Sequence, residues 1–304
     1  MKKKRIVGLA LGSGSARGWS HIGVIKALES YGIRPDIVCG TSVGALVGSF
    51  YAGGKLPDLE AWLLKLKWRD VISFLDMSLG SGLIKGKKLF EYFEEQFSDT
   101  LIENLNLPFG AVATEIDTGM EIWIRTGSVL EAVRASISLP GVFTPVKRGD
   151  MWLIDGATVN PVPISLCRAM GAEIVIAVDL NLDLMDRRNK EEQPTSEEIP
   201  VLEETRTWEK AKKSITSKFW GKDLRKQLVK EKDEKPSLIE VVSKAISIMQ
   251  VRITRSRMAG DPPEILISPR LGYLGMMEYH RAAECIEEGK KAVERAEIEL
   301  KLYF

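Results

Sequence analysis

Apolar residues occur along the chain in short runs that alternate with longer amphipathic stretches. Short apolar runs predict buried strands, whereas apolar residues at every third or fourth position predict helices. Strands are predicted at residues 5–11, 37–39, 109–117, 120–125, 151–154, 174–178 and 265–267. Helices are predicted at residues 19–30, 45–51, 59–68, 87–97, 129–138, after Pro163 and at 279–300. This alternation predicts an α/β fold with a mostly parallel central sheet flanked by helices, in three layers.

The pattern changes at residues 182–236, where charged residues dominate. Within this stretch, residues 208–232 carry nine Lys or Arg against three Asp or Glu, and their apolar side chains recur at helical spacing. A basic amphipathic helix is typical of segments that lie on anionic membranes. The alternative, favoured by the interruption at Gly221, is a helix whose apolar stripe packs on the domain. We expect one domain over residues 1–304, with a charged helical insertion at about 182–236.

Composition narrows the class of function. The chain has 304 residues, 44% of them hydrophobic, and a net charge of +1, which gives no support for nucleic-acid binding. Its three cysteines and two histidines lack metal-ligand spacing, so we expect no metal and no disulfide framework, as in the reducing cytoplasm. No apolar run approaches the roughly 20 residues that cross a bilayer. We therefore expect a cytoplasmic protein, either free or bound peripherally at the inner face of the membrane.

Residues 40–44, Gly-Thr-Ser-Val-Gly, have the layout of a nucleophile elbow between an apolar strand and a helix. In so tight a turn, Gly40 and Gly44 must lack side chains if the hydroxyl of Ser42 is to project outward. The amino end of the following helix presents free N–H groups to any anion that forms there. Ser42 is therefore the candidate nucleophile.

A nucleophilic serine needs a base, and histidine is the usual one. We expect His280 to be a surface or capping residue and His21 to be structural. The remaining candidate is Asp155 at the end of an apolar run, because desolvation there raises a carboxylate pKa above about 3.9. Asp155-Gly156 also fits a plain turn, and taken alone that interpretation is favoured.

Residues 12–18, Gly-Ser-Gly-Ser-Ala-Arg-Gly, predict a loop whose N–H groups can surround a negative oxygen. A dinucleotide-binding loop is the main alternative. Its fingerprint requires glycine where this chain has Arg17, and an acidic residue at the end of the second strand, where Cys39-Gly40 stand. The sequence therefore favours an oxyanion loop, to which Arg17 adds positive charge or an anchor.

With these segments in this order, the chain resembles the patatin-like phospholipase family, and more narrowly its bacterial branch related to the neuropathy target esterase catalytic domain. The resemblance rests on residues 9–24, 40–44 and 133–143, and on Asp155-Gly156 with Asn160-Pro161. It implies a Ser-Asp dyad without histidine, in which Ser42 attacks an ester and Asp155 takes its proton and then activates water. It implies no cofactor.

The resemblance also implies an oxyanion hole from the backbone N–H groups of Gly14 and Ser15, in a loop completed by Ser13, Arg17 and Gly18. The family usually has glycine where this chain has Ser13 and Ser15, and Asp-Gly-Gly where it has Asp155-Gly156-Ala157. We therefore expect small shifts in geometry and a narrower substrate range, with activity retained.

The implied activity is that of a serine esterase acting on a phospholipid, a lysophospholipid or another acyl ester, as a phospholipase A or lysophospholipase. An acyltransferase working through the same acyl-enzyme stays open, since the deacylating partner depends on water access to the site. A non-catalytic lipid-binding scaffold also stays open, supported only by the two loop serines.

Overall fold

The computed structural model describes residues 4–67, 87–185 and 238–304. The strands are β1 Val7–Leu11, β2 Ile37–Thr41, β3 Phe109–Glu115, β4 Glu121–Ile124, β5 Val146–Arg148, β6 Met151–Asp155, β7 Ile174–Val178 and β8 Ile265–Ile267. The helices are α1 Ser20–Ser30, α2 Val43–Ala52, α3 Leu56–Leu63, α4 Lys87–Phe97, α5 Val129–Ser136, α6 Ile164–Ala169, α7 Leu238–Gly260, α8 Ala282–Arg295 and α9 Glu297–Tyr303.

One sheet contains these strands, which are hydrogen-bonded in the succession β5-β6-β3-β2-β1-β7-β8, with β4 also paired to β3. The five strands from β3 to β8 in this order run parallel, while β4, β5 and β6 pair antiparallel. The predicted mostly parallel sheet is therefore confirmed.

Alternate residues of each central strand face opposite sides of the sheet, as strand geometry requires. In β1, Leu9 and Leu11 join a large core cluster with residues of α1, α2, α5 and α8. Ala10 between them joins a smaller cluster with residues of α6, and Met258 of α7 packs against that cluster. Helices thus cover both faces, which confirms the three-layer α/β/α arrangement.

The predicted elements differ from the structure in a few places. The helix predicted at 279–300 is a 3-10 turn at Tyr279–Arg281 followed by α8 and α9, because the backbone leaves the helical region at Ala296 (φ −92°, ψ 6°). Helix α3 begins earlier than predicted and ends at Leu63. Strand β5 and helix α7 were not predicted. Of the predicted insertion at 182–236, only residues 182–185 lie within the described residues, as a 3-10 turn.

The edges of β3 explain how two distant parts of the chain meet. Strand β4 pairs with Ala111 to Thr114, so β2, which pairs with β3 up to Val112, must occupy the other edge. Strand β6 pairs with Ala113 to Glu115. Because β4 pairs with Ala113 and Thr114 from one edge, β6 must lie on the edge that β2 occupies. Because β2 runs parallel to β3 and β6 antiparallel, their carboxyl-terminal ends face each other. The residue after β2 and the last residue of β6 therefore meet.

Candidate active site

Those two residues are Ser42 and Asp155. The hydroxyl of Ser42 donates a hydrogen bond of 2.6 Å to Oδ2 of Asp155. Two further contacts fix the junction: the hydroxyl of Thr41 donates to the carbonyl of Asn160 (2.9 Å), and that of Thr114 donates to the carbonyl of Asp155 (3.0 Å). The structure thus places the candidate nucleophile in direct contact with the candidate base.

The turn that carries Ser42 is tight and strained. Ser42 has φ 58° and ψ −127°, in the positive-φ range that favours glycine, at the start of α2. A Cβ on Gly40 would lie 2.3 Å from the backbone nitrogen of Ala45, and one on Gly44 would lie 2.1 Å from the carbonyl oxygen of Leu11. Both glycines therefore permit the close contacts that aim the serine outward.

Asp155 is fully enclosed at the end of β6, with 1% of its surface exposed. Its Oδ1 accepts a hydrogen bond of 2.8 Å from the amide of Ala157, in a turn where a Cβ on Gly156 would strike the carbonyl oxygen of Val112 at 2.3 Å. Burial raises the pKa of Asp155 to about 7, although hydrogen bonds from the Ser42 hydroxyl and the Ala157 amide favour the charged form. A carboxylate with this pKa is suited to accept a proton near neutral pH.

Neither histidine contacts the Ser42 hydroxyl. His21 is fully buried, and its Nε2 donates to the carbonyl of Gly12 at 2.8 Å, since a carbonyl only accepts. Burial lowers the pKa of His21 to about 4, so its ring is neutral at physiological pH. His280 is exposed and lies in the 3-10 turn that precedes α8.

A cleft of about 970 Å³, including its open mouth, surrounds the Ser42 hydroxyl. Its polar wall contains Ser13, Gly14, Ser15 and Arg17 of the glycine- and serine-rich loop, together with Asp155, Gln250 and Tyr279. The rest of the lining is apolar: Trp19, Val43, Leu46, Trp62, Leu66, Ile137, Leu139, Val142, Phe143, Met276 and Met277. This combination of an apolar wall and a few converging polar groups is typical of a small-molecule site.

The loop residues differ in what they contribute. Gly18 does not line the cleft; a Cβ there would lie 2.2 Å from Val43, so its role is to let the loop approach the elbow. Ser15 has φ 51°, a conformation that costs a non-glycine residue about 1–2 kcal/mol. Ser13 and Ala157 are not in the positive-φ range. The conformational cost of the departures from glycine is therefore confined to Ser15.

Three polar residues near the site were not identified from the sequence. The hydroxyl of Ser136 accepts from the backbone N–H of Ser42 (2.9 Å). The side-chain amide of Asn181 donates to the carbonyl of Ser13 and accepts from the guanidinium of Arg17. It also donates to the side-chain oxygen of Gln250 in α7. Ser136 lies within residues 133–143, which carry the family resemblance, but no role was assigned to it there, and only the fold brings the three residues to the site.

Two kinds of feature are absent from the part of the chain that the structure describes. No helix there is long and apolar enough to span a bilayer. No cluster of three or more His, Cys, Asp or Glu side chains there is arranged to hold a metal ion.

The chain is similar in sequence to a known protein family and to several of its members. Residues 9–168 match the family described as patatin-like phospholipase. An NTE family protein of Mycobacterium tuberculosis is 29% identical over 95% of this chain and 91% of its own length. The human patatin-like phospholipase domain-containing protein 6 is 35% identical over 57% of this chain and 13% of its own length. Lysophospholipase nte1 of Emericella nidulans is 32% identical over 58% of this chain and 12% of its own length.

Proposed function

Because the chain belongs to the patatin-like phospholipase family, we propose that it is a serine esterase of the phospholipase A or lysophospholipase type. The observation that carries the proposal is the 2.6 Å hydrogen bond from the Ser42 hydroxyl to the buried carboxylate of Asp155. In this arrangement Ser42 is the nucleophile and Asp155 is its general base.

The proposed reaction has two halves. The oxygen of Ser42 attacks the ester carbonyl carbon while Asp155 takes the hydroxyl proton, and the carbonyl oxygen becomes an oxyanion. Collapse of this intermediate breaks the bond to the leaving alcohol, which receives the proton from Asp155. Water then attacks the acyl-enzyme with Asp155 again as base, and release of the carboxylic acid restores the Ser42 hydroxyl.

The oxyanion needs hydrogen-bond donors beside Ser42. The backbone N–H groups of Gly14 and Ser15 are the proposed donors, because both residues line the cleft and no described group accepts from either N–H. Losing one such donor typically costs about 10²- to 10³-fold in kcat. The buried guanidinium of Arg17 donates through Nε to the carbonyl of Gly14 (3.2 Å) and so supports the loop from behind.

The cleft favours an acyl ester with a long apolar chain. Its apolar wall is built from several elements, including Leu46 of α2, Trp62 of α3 and Phe143 after α5, and it begins beside the Ser42 hydroxyl. Burying such a chain is favourable by about 0.8 kcal/mol per methylene group. One relative carries the name lysophospholipase, which supports a lysophospholipid as the first substrate to test.

Hydrolysis of a panel of phospholipids, lysophospholipids and short p-nitrophenyl esters tests the proposal, with Ser42→Ala and Asp155→Asn measured beside the unmodified protein. We expect release of free fatty acid that both substitutions abolish while the far-ultraviolet circular dichroism is unchanged. Activity that persists in Ser42→Ala would overturn the assignment.

The products of the same assay also distinguish the two alternative functions from hydrolysis. Acyl transfer to an added alcohol, at the expense of free acid, would identify an acyltransferase that uses the same acyl-enzyme. A protein that binds lipid vesicles and turns over no ester would be a scaffold. Membrane contact through residues 208–232 stays a prediction, since that stretch lies outside the described residues. A cytoplasmic location also stays a prediction.

A further inference from the structure

In the loop that follows β1, some backbone groups are hydrogen-bonded within the protein and two N–H groups are not. The amide of Gly12 donates to the carbonyl of Val178 (3.0 Å), and the amide of Ser13 donates to the carbonyl of Pro161 (2.8 Å). The carbonyl of Gly12 accepts from His21. Of residues 12 to 15, only the N–H groups of Gly14 and Ser15 have no acceptor among the described residues. Native structures seldom leave such donors unpaired, so these two N–H groups are available to bind a ligand.

The first of these N–H groups belongs to the peptide between Ser13 and Gly14. The carbonyl of this peptide accepts a hydrogen bond of 3.1 Å from Nδ2 of Asn181. Because the peptide is trans, its carbonyl and its N–H point in opposite directions. Asn181 therefore fixes the direction of the Gly14 N–H by holding the other end of the same peptide plane.

The second N–H group belongs to the peptide between Gly14 and Ser15. Its carbonyl accepts from Nε of Arg17 (3.2 Å) and from the backbone N–H of Arg17 (3.2 Å). Nη2 of the same guanidinium donates to Oδ1 of Asn181 at 3.0 Å. Asn181 thus holds the first peptide directly and the second peptide through Arg17.

Asn181 itself has little freedom to move. It is fully buried just after β7, and its backbone N–H donates to Oδ1 of Asp179 (2.9 Å). Its Nδ2 also donates to Oε1 of Gln250 on α7 (3.4 Å). Its side-chain amide therefore has a described partner on both the oxygen and the nitrogen, as expected of a buried group that sets the position of others.

We propose that Asn181 is the positioning residue of the oxyanion hole, which it aligns by holding the carbonyl side of the peptides that carry the Gly14 and Ser15 N–H groups. The inference rests on the proposed function, because an oxyanion must form at Ser42 for this alignment to matter. Asn181 touches no reacting atom. A hydrogen bond at the carbonyl also polarises the peptide and makes its N–H a stronger donor.

The test compares two inhibitors that share one alkyl chain. A trifluoromethyl ketone adds the serine hydroxyl to form a hemiketal oxyanion, whereas the matching methyl ketone binds mainly through its chain. The ratio of their inhibition constants reports hemiketal formation, which depends on the oxyanion hole and on the Ser42-Asp155 pair, and Asn181 contacts neither member of that pair. A lower fraction of folded protein cannot change this ratio, so simple destabilisation has no effect on it.

The substitutions are Asn181→Asp, which keeps the size and the acceptor for Arg17 but removes the donor to Ser13, and Asn181→Leu, which removes both bonds without adding charge. In both variants we expect the preference for the trifluoromethyl ketone over the methyl ketone to fall by about 10- to 100-fold. This effect does not exceed that of removing an oxyanion-hole donor outright. We expect kcat to fall by a similar factor, with KM and the methyl ketone constant changed less than about twofold.

Glu264→Ala is the control: this residue precedes β8, and its side chain holds the opposite end of β7 from Asn181. Its carboxylate accepts from the amide of Val175 (2.7 Å), near the amino-terminal end of β7, whereas Asn181 follows the carboxyl-terminal end. This variant should lose stability and keep the inhibitor ratio. An unmodified protein that binds both ketones equally would overturn the proposed function together with this inference. A discriminating protein whose Asn181 variants discriminate equally well would overturn this inference alone.

Discussion

The backbone N–H of Ser42 donates a hydrogen bond of 2.9 Å to the hydroxyl of Ser136, the last residue of α5. The same hydroxyl donates to the carbonyl of Val112 in β3 at 2.6 Å. Ser136 therefore joins the elbow to the sheet through one side chain. Because Ser42 holds a positive φ of 58°, the elbow depends on such outside support to keep its conformation.

Replacing Ser136 with alanine leaves the amide of Ser42 and the carbonyl of Val112 without this partner. We expect Ser136→Ala to lower the free energy of unfolding by about 1–3 kcal/mol and to reduce kcat about tenfold, because the strained turn relaxes. Urea unfolding and steady-state kinetics measure the two effects. Ser49→Ala is the control: its buried hydroxyl donates within α2 to the carbonyl of Leu46 (2.7 Å), so it should lose stability only. Equal kcat values for the two variants would contradict the support role.

The raised pKa of Asp155 makes stability depend on pH in a predictable direction. Its pKa is about 7 in the folded protein and about 3.9 in the unfolded chain. Between these values the folded state keeps a proton that the unfolded state has lost, so the contribution of Asp155 to stability falls as the pH rises. The fall ends near pH 7, where the folded state also ionises, and amounts to up to about 4 kcal/mol.

Asp155→Asn removes this ionisation and keeps the size of the side chain. The free energy of unfolding of the unmodified protein should therefore decline relative to the variant between pH 4 and pH 7, by up to about 4 kcal/mol, and run parallel above that range. Urea titrations of both proteins at several pH values measure the difference. Curves that stay parallel throughout would show that burial does not perturb this carboxylate.

We predict that the exposed residue His280 has no part in catalysis. His280→Ala should leave kcat/KM within about twofold of the unmodified protein, and the midpoint of its pH profile unchanged, since the ring does not line the cleft. Steady-state rates across pH 5 to 9 test both statements. A loss comparable to that of Ser42→Ala would mean that an imidazole takes the serine proton.

Local patterns in the sequence predicted most of the sheet and the sequence positions of the elbow. Strands β7 and β8 have the predicted bounds, because a run such as residues 174–178 is apolar on both faces and needs no tertiary information to be recognised. The glycines around Ser42 were also predictable from local sequence. The turn itself demands the close approaches at Gly40 and Gly44.

Helix α7 was missed because its pattern is mixed. Gln250 and Thr254 are buried on it beside Val251, whereas Val241 and Ile248 are exposed. A helix that buries polar and apolar residues together, and exposes further apolar residues, lacks the usual amphipathic stripe, so periodicity cannot find it. Buried Gln250 is explained by its hydrogen bond with Asn181, a contact 69 residues away in sequence.

The supports of the site were beyond the reach of local patterns. Ser136 lies 94 residues from Ser42, and Asn181 lies 168 residues from Ser13. A serine at the end of a helix and an asparagine after a strand are common where no function exists. Their importance follows from hydrogen bonds that only the folded chain forms.

The rate at which a fluorophosphonate probe labels Ser42 tests the central claim most directly, measured by mass spectrometry of the modified peptide in the unmodified protein and in Asp155→Asn. If the Asp155 carboxylate activates the Ser42 hydroxyl, the probe will attach to Ser42, and its rate will fall about 10²- to 10⁴-fold in the variant. Labelling of Asp155→Asn at the rate of the unmodified protein, or attachment of the probe to a different residue, would contradict it.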